Sequence, residues 1–437
     1  MRNRKIDATS AQKIDVLLRT ASQDISEGEI ALAKRKFDRV LKIQPTHLTA
    51  HYNRANALRD LGQTQEAIGA LEELIRIAPL HAEAYRNLSS LNPGADEGEP
   101  WLRQLKRLLS DPRVSDAVRP HLLFAWGNVQ EHRGHFQEAY DCFHRANAMR
   151  KIAIGYHLDQ DRSRFERLRT LPSRVGQLPL IKADPPSHVP IFILGMPRSG
   201  STLLEQMISQ HAQVSARGEL TQLTALTLRA SLAHSHFDAD TLDAIRRKYL
   251  NFLDSLKPES KYVIDKMPHN FLVLPVLFRA FPDAKVIHII RDPAATCWSN
   301  FRHFFTSEEL AYSHDLADLT GYYSLYKTLV GTFADYETGR ICHVNYERMI
   351  DDPASCIRRV LEFLGLQWDS ACLQPDRNTR IARTASQLQV KKAIYSGSSS
   401  FWKNYQAQVG EAFDELIQVQ PAFLKQLSRS GASKSTL

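Results

Sequence analysis

A chain of 437 residues is longer than one hydrophobic core comfortably serves, so two or three domains are expected. Its 43% hydrophobic and 24% charged residues are ordinary for a globular protein, and no apolar run approaches membrane-spanning length. The net charge of +8 is modest for this length, so it reads as scattered solvated charge and no nucleic-acid partner is expected.

The opening Met1-Arg2-Asn3-Arg4-Lys5-Ile6-Asp7 leads into polar sequence, which argues against a signal peptide. Three points then recur at one spacing: Gly28 to Gly62, Ala33 to Ala67 and Pro45 to Pro79 are each 34 residues apart. A third copy keeps the internal offset, because Gly134 to Ala139 is 5 residues, as is Gly62 to Ala67. Small residues at Ala55, Ala67 and Ala70 let two helices approach closely, Gly62 allows the turn, and Pro79 stops the second helix. The pattern resembles the tetratricopeptide repeat over residues 10–150. That resemblance implies a helical surface for a peptide or partner protein, or else a scaffold for a catalytic domain.

Asn92 to Pro100 reads as a loop interrupting the repeats, and Tyr156 to Leu171 as one connecting helix. The expected division is a repeat domain over 1–150, a connecting helix and linker over 151–188, a catalytic domain over 189–405, and a C-terminal helix and tail over 406–437.

From Val189 the pattern changes. Short apolar runs at Pro190–Leu194, Tyr262–Asp265, Lys285–Ile290 and Ile341–Tyr346 read as buried strands, with helices filling the gaps. The fold class this predicts is an α/β P-loop-like domain with a parallel sheet and flanking helices, preceded by the all-α repeat domain. Ligands then bind at the carboxyl ends of the strands. Gly195 to Thr202 stands at such an end with the spacing G-x-x-x-x-G-x-T, where glycines let backbone N–H groups face an anion at a helix start. A nucleotide-hydrolysing loop has Lys where this chain has Ser201, and here the cation comes earlier, as Arg198; that weakens a kinase or NTPase reading.

Gly195-Met196-Pro197-Arg198-Ser199-Gly200-Ser201-Thr202 resembles the phosphosulfate loop of sulfotransferases that use 3′-phosphoadenosine 5′-phosphosulfate (PAPS). Its Pro-Arg-Ser-Gly form is most similar to tyrosylprotein sulfotransferases and their bacterial relatives with tetratricopeptide repeats. A second signature follows at Val286 to Pro293, where Arg291 leaves a strand end and Ser299 lies two helical turns along the next helix, so both can clasp one phosphate. The resemblance implies that Arg291 and Ser299 hold the 3′-phosphate of PAPS, and that Arg198, Ser199, Gly200, Ser201 and Thr202 hold its phosphosulfate end. Ser386 matches a cofactor-contacting serine of the family, and Tyr346 either lines the cofactor pocket or packs in the core; Lys403, the remaining cofactor candidate, stands one residue beyond Trp402, whereas the family's basic residue comes just before the tryptophan, where this chain has Phe401. No metal is implied.

Sulfuryl transfer asks for in-line oxygens, neutralised charge and a base for the acceptor's proton. The resemblance assigns charge stabilisation to Arg198 and Lys266 and the general base to Glu219; His269 is the competing base, as in small-molecule sulfotransferases. Plainer readings exist: Glu219 can start a helix, Lys266 can be a solvated strand-end lysine, and His288 reads as a satisfied core histidine. Protein tyrosine is the acceptor the resemblance favours, with carbohydrate and small-molecule hydroxyls open, and a non-catalytic adaptor built on the repeats is a further alternative. The five cysteines (Cys142, Cys297, Cys342, Cys356 and Cys372) are few, odd in number and dispersed, so a reducing cytoplasm is the expected location.

Overall fold

The computed structural model describes residues 8–181, 186–233, 237–336, 339–378 and 397–430. The chain divides into two compact units, Met1–Ile154 and Gly155–Leu437.

The first unit is built of helices paired in antiparallel fashion. Ala8–Glu27 packs on Ile30–Ile43, Leu48–Asp60 on Thr64–Ile77, and Arg119–His132 on Phe136–Ile154. Each pair turns at a glycine of positive φ: Gly28 at 94°, Gly62 at 80° and Gly134 at 79°. These are the three glycines of the repeat, placed where an L side chain would be strained. Ala55 and Ala67 are fully buried, which allows the close helix contact their small size predicts. The interruption is itself partly helical. Pro100–Ser110 starts on its proline and buries Trp101, Leu102, Leu105 and Leu108 in the same core as Tyr85 and Leu88.

The second unit holds five parallel strands: β1 (Val189–Leu194), β2 (Val214–Ala216), β3 (Tyr262–Lys266), β4 (Lys285–Ile290) and β5 (Ile341–Asn345). Their order is β2-β3-β1-β4-β5, with β1 in the centre and all six of its residues buried. Continuous apolar runs such as Val-Pro-Ile-Phe-Ile-Leu are what a parallel sheet covered on both faces requires. The register pairs Ile193 with Lys266 and with Ile287, so the ends of β3 and β4 flank the loop that leaves β1. The terminal helix Gln406–Ser430 buries Val409, Phe413, Leu416 and Phe423, and packs on helices Leu316–Tyr336 and Pro293–Phe301. No helix among the described residues is long and apolar enough to cross a membrane.

Candidate active site

The loop Gly195–Gly200 joins β1 to the helix Ser201–Ile208 and is shaped by three residues at positive φ: Gly195 at 149°, Arg198 at 67° and Gly200 at 101°. A Cβ on Gly195 would lie 2.4 Å from the Ile289 carbonyl oxygen, and one on Gly200 would lie 2.3 Å from the Tyr346 ring. Both glycines are therefore required by close packing, and Arg198 adopts a left-handed conformation uncommon for non-glycine residues. Asn300, buried, braces the turn by donating from Nδ2 to the Pro197 carbonyl at 2.8 Å. The Ser199 hydroxyl is buried and has no hydrogen-bond partner among the described residues. Ser201 and Thr202 are buried in the first helical turn.

At the end of β4, Arg291 is buried and spans two segments. Its Nη1 donates to the Arg198 carbonyl at 3.0 Å, its Nη2 to the Ser398 carbonyl at 2.5 Å, and its Nε to the Ser399 hydroxyl at 3.1 Å. The guanidinium also lies over the Tyr346 ring, 4.8 Å from its centre, and the Tyr346 hydroxyl bonds the Ser398 hydroxyl at 3.0 Å. Ser299 meets Arg198, whose Nε donates to its hydroxyl at 3.1 Å. Arg291 and Ser299 thus converge through Arg198, one on its carbonyl and the other on its side chain. Asp292 caps the next helix, accepting from the Ala295 amide at 2.7 Å, while its neighbour Arg291 faces the loop. Burial raises the Asp292 carboxyl above the usual range, and Lys403, exposed at the surface, opposes this weakly.

At the end of β3, the Lys266 Nζ donates to Glu219 Oε1 at 2.5 Å. The Lys266 side chain is fully buried, whereas that of Glu219 is 40% exposed. Glu219 lies in the stretch between β2 and the helix Gln222–Ala233, ahead of that helix rather than within it. His269 sits in the 3-10 turn Pro268–Val273, buried, with Nε2 3.4 Å from the Tyr312 hydroxyl; burial pushes its pKa down to about 4. With Met267, Thr221, Thr224 and Tyr322 it lines a small cavity beyond the strand end. His288 is a satisfied core histidine, bonded to His343 Nδ1 at 3.0 Å and to the Tyr326 hydroxyl at 2.5 Å.

The structure therefore gathers Arg198, Ser199, Gly200, Ser201, Thr202, Arg291, Ser299 and Tyr346 around one loop, with the Lys266–Glu219 pair on the adjoining strand end. Ser386 lies outside the described residues. Sequence reasoning missed Asn300 as a loop contact and Ser398 and Ser399 as partners of Arg291, and it missed Glu347, whose Oε1 accepts from the Ser399 hydroxyl at 2.6 Å and the Asp292 amide at 3.0 Å. The Ser-rich run before Phe401 was the one available signal for the serines.

Fold and site together define a parallel α/β domain with a glycine-containing loop and helix start at the carboxyl edge of its sheet. Residues 190–370 match the model described as "Sulfotransferase family", and residues 24–91 match that described as "Tetratricopeptide repeat". The chain thus joins a segment that matches the sulfotransferase family to one that matches the tetratricopeptide repeat, and it is similar to protein-tyrosine sulfotransferases. An uncharacterized protein of Aquifex aeolicus (strain VF5) is 28% identical over 83% of this chain and 49% of its own length. Protein-tyrosine sulfotransferase 2 of Gallus gallus is 24% identical over 42% of this chain and 53% of its own length. The chain thus spans about half the length of these curated relatives. Among solved structures, the sulfotransferase domain from the Synechococcus PCC 7002 olefin synthase aligns with 51% of this chain and 90% of that chain, at 23% identity and TM-score 0.39.

Proposed function

We propose that the chain transfers the sulfuryl group of PAPS to an acceptor hydroxyl, with Glu219 as general base. The observation that carries this reading is the Lys266–Glu219 pair at the end of β3, one strand from a loop whose glycines, positive-φ Arg198 and buried Ser199 hydroxyl fit an anionic phosphosulfate group. PAPS supplies the sulfuryl group and a bisphosphate leaving group. The loop amides, Ser199, Ser201 and Thr202 bind the phosphosulfate end, and Arg198 neutralises charge that spreads over its oxygens. Arg291 and Ser299 hold the 3′-phosphate, with Tyr346, Ser386 and Lys403 completing the nucleotide site.

Glu219 takes the proton from the attacking hydroxyl, and Lys266 stabilises the oxygen that leaves sulfur. Before transfer Glu219 must release Lys266, so the pair keeps base and cation together until ligands separate them. Glu219 is accessible to an acceptor, whereas His269 is buried and weakly basic. Protein tyrosine is the acceptor we infer, presented as a peptide held by the repeats; relatedness to the protein-tyrosine sulfotransferases supports it.

Adenosine 3′,5′-bisphosphate (PAP) should raise the melting temperature of the wild-type chain, and Arg291→Ala should remove that shift. A wild type that PAP does not stabilise would sink the cofactor assignment. Magnesium-dependent ATP turnover would instead favour an NTPase. Mass-spectrometric detection of an 80 Da (about one SO3) addition on a tyrosyl-peptide and carbohydrate panel identifies the acceptor. Transfer retained by Glu219→Gln would move the base role to His269.

A further inference from the structure

We infer that Glu205 is a positioning residue that ties the general base to the phosphate loop; this rests on the reading of Glu219 as the base. Glu205 lies on the helix Ser201–Ile208, one turn beyond Ser201, and it is completely buried. Its Oε1 accepts the backbone N–H of Gly218 at 3.1 Å, across a sequence gap of 13 residues. Gly218 stands at φ 73°, a conformation glycine takes without strain, and its own carbonyl accepts the Lys266 amide at 2.9 Å.

Gly218, the residue before Glu219, is thus fixed on both sides. Its amide is held by the helix that begins at the phosphate loop, and its carbonyl by the strand that carries Lys266. Glu219 follows directly and closes the ring through its side chain to Lys266 Nζ. A buried carboxylate is costly in a helix core and is retained only where hydrogen bonds compensate it. The consequence is mechanical: a displacement of the loop helix is passed to the base through one hydrogen bond. Base placement and cofactor placement are then set together, and neither Arg198 nor Arg291 is needed for that link.

The test compares Glu205→Leu, which removes the acceptor, with Glu205→Gln, which keeps an oxygen at the same reach. Glu205→Asp, which keeps the charge but is one methylene short, serves if the leucine variant does not fold. Measured in the full chain are amide deuterium exchange of the segment containing Gly218, the PAP-induced melting shift, and sulfuryl transfer from PAPS to a tyrosyl peptide or 4-nitrophenol. In Glu205→Leu, or in Glu205→Asp, exchange at Gly218 should rise and kcat fall by about a hundredfold, while the KM for PAPS and the PAP shift hold. Glu205→Gln should restore both protection and rate.

Unchanged exchange in the leucine or aspartate variant overturns the inference. So does a parallel loss of kcat and PAP binding, which would make Glu205 part of the cofactor site. Absence of PAP binding or transfer in the wild type refutes the sulfotransferase reading instead, and the exchange measurement still decides whether Glu205 holds Gly218.

Discussion

The Lys266–Glu219 pair is asymmetric in its exposure, and that asymmetry fixes how variants should rank. Lys266 is fully buried and Glu219 is 40% exposed. In Glu219→Ala the ammonium is stranded away from water, at a cost of about 2 kcal/mol for a charged group that loses its partner. In Lys266→Met the freed carboxylate turns to solvent and the stem volume is kept, so the cost stays below about 1.5 kcal/mol. Combining the two should recover stability relative to Glu219→Ala alone, since the stranded charge is gone. At about 2–4 °C per kcal/mol for a unit of this size, Glu219→Ala should lower the melting temperature by about 4–8 °C. Glu219→Gln still accepts a hydrogen bond from Lys266 and should melt near the wild type while losing transfer. Scanning fluorimetry of the four variants beside the wild type gives the ranking. If Glu219→Ala and Lys266→Met destabilise equally, and the double variant by their sum, the pair does not act as a buried charge with one solvent-facing partner.

Two other outcomes follow from the same geometry. Gly200→Ala places a methyl at φ 101° and 2.3 Å from the Tyr346 ring, so it should cost about 2–4 kcal/mol from backbone strain and overpacking. Its melting curve should show this, and the paired variant Gly200→Ala/Tyr346→Ala should regain the packing part but not the backbone part. Asp265, buried against the Tyr249 hydroxyl at 2.9 Å, has its pKa pushed up to about 7, first by burial. A carboxyl raised in the folded state stabilises most below its unfolded value near 4, and that contribution is lost as pH rises towards 7. Asp265→Asn removes this loss, so its stability relative to the wild type should grow by on the order of 3–4 kcal/mol between pH 4 and pH 7 and then level off. A pH-independent difference in urea unfolding would show that Asp265 ionises normally.

The parts of this fold that could be read from the chain are those whose cause is local. A continuous apolar run can hardly avoid being a buried strand, so β1, β3, β4 and β5 stand within a residue or two of where their Val/Ile-rich runs place them. The strand β2, Val214–Ala216, has three residues and takes its existence from pairing with β3, which no run of three residues announces. The repeat glycines were legible because tolerance of positive φ belongs to glycine itself, and the glycines of the loop Gly195–Thr202 were legible for the same reason.

What escaped is made by contacts between distant positions. Ser399 reaches Arg291 across 108 residues, Glu347 reaches Ser399 across 52, and Asn300 reaches Pro197 across 103. None of these side chains is unusual in its own sequence neighbourhood. The pairing expected of Arg291 and Ser299 illustrates the limit: spacing lets both clasp one phosphate, yet nothing in it announces that Arg198 stands between them. Because the Arg198 carbonyl accepts from Arg291 while its guanidinium donates to Ser299, the loop conformation at φ 67° and the two flanking residues determine one another. A substitution at any of the three should therefore disturb both ends of the proposed nucleotide site, and the effects of paired substitutions should fall short of additivity.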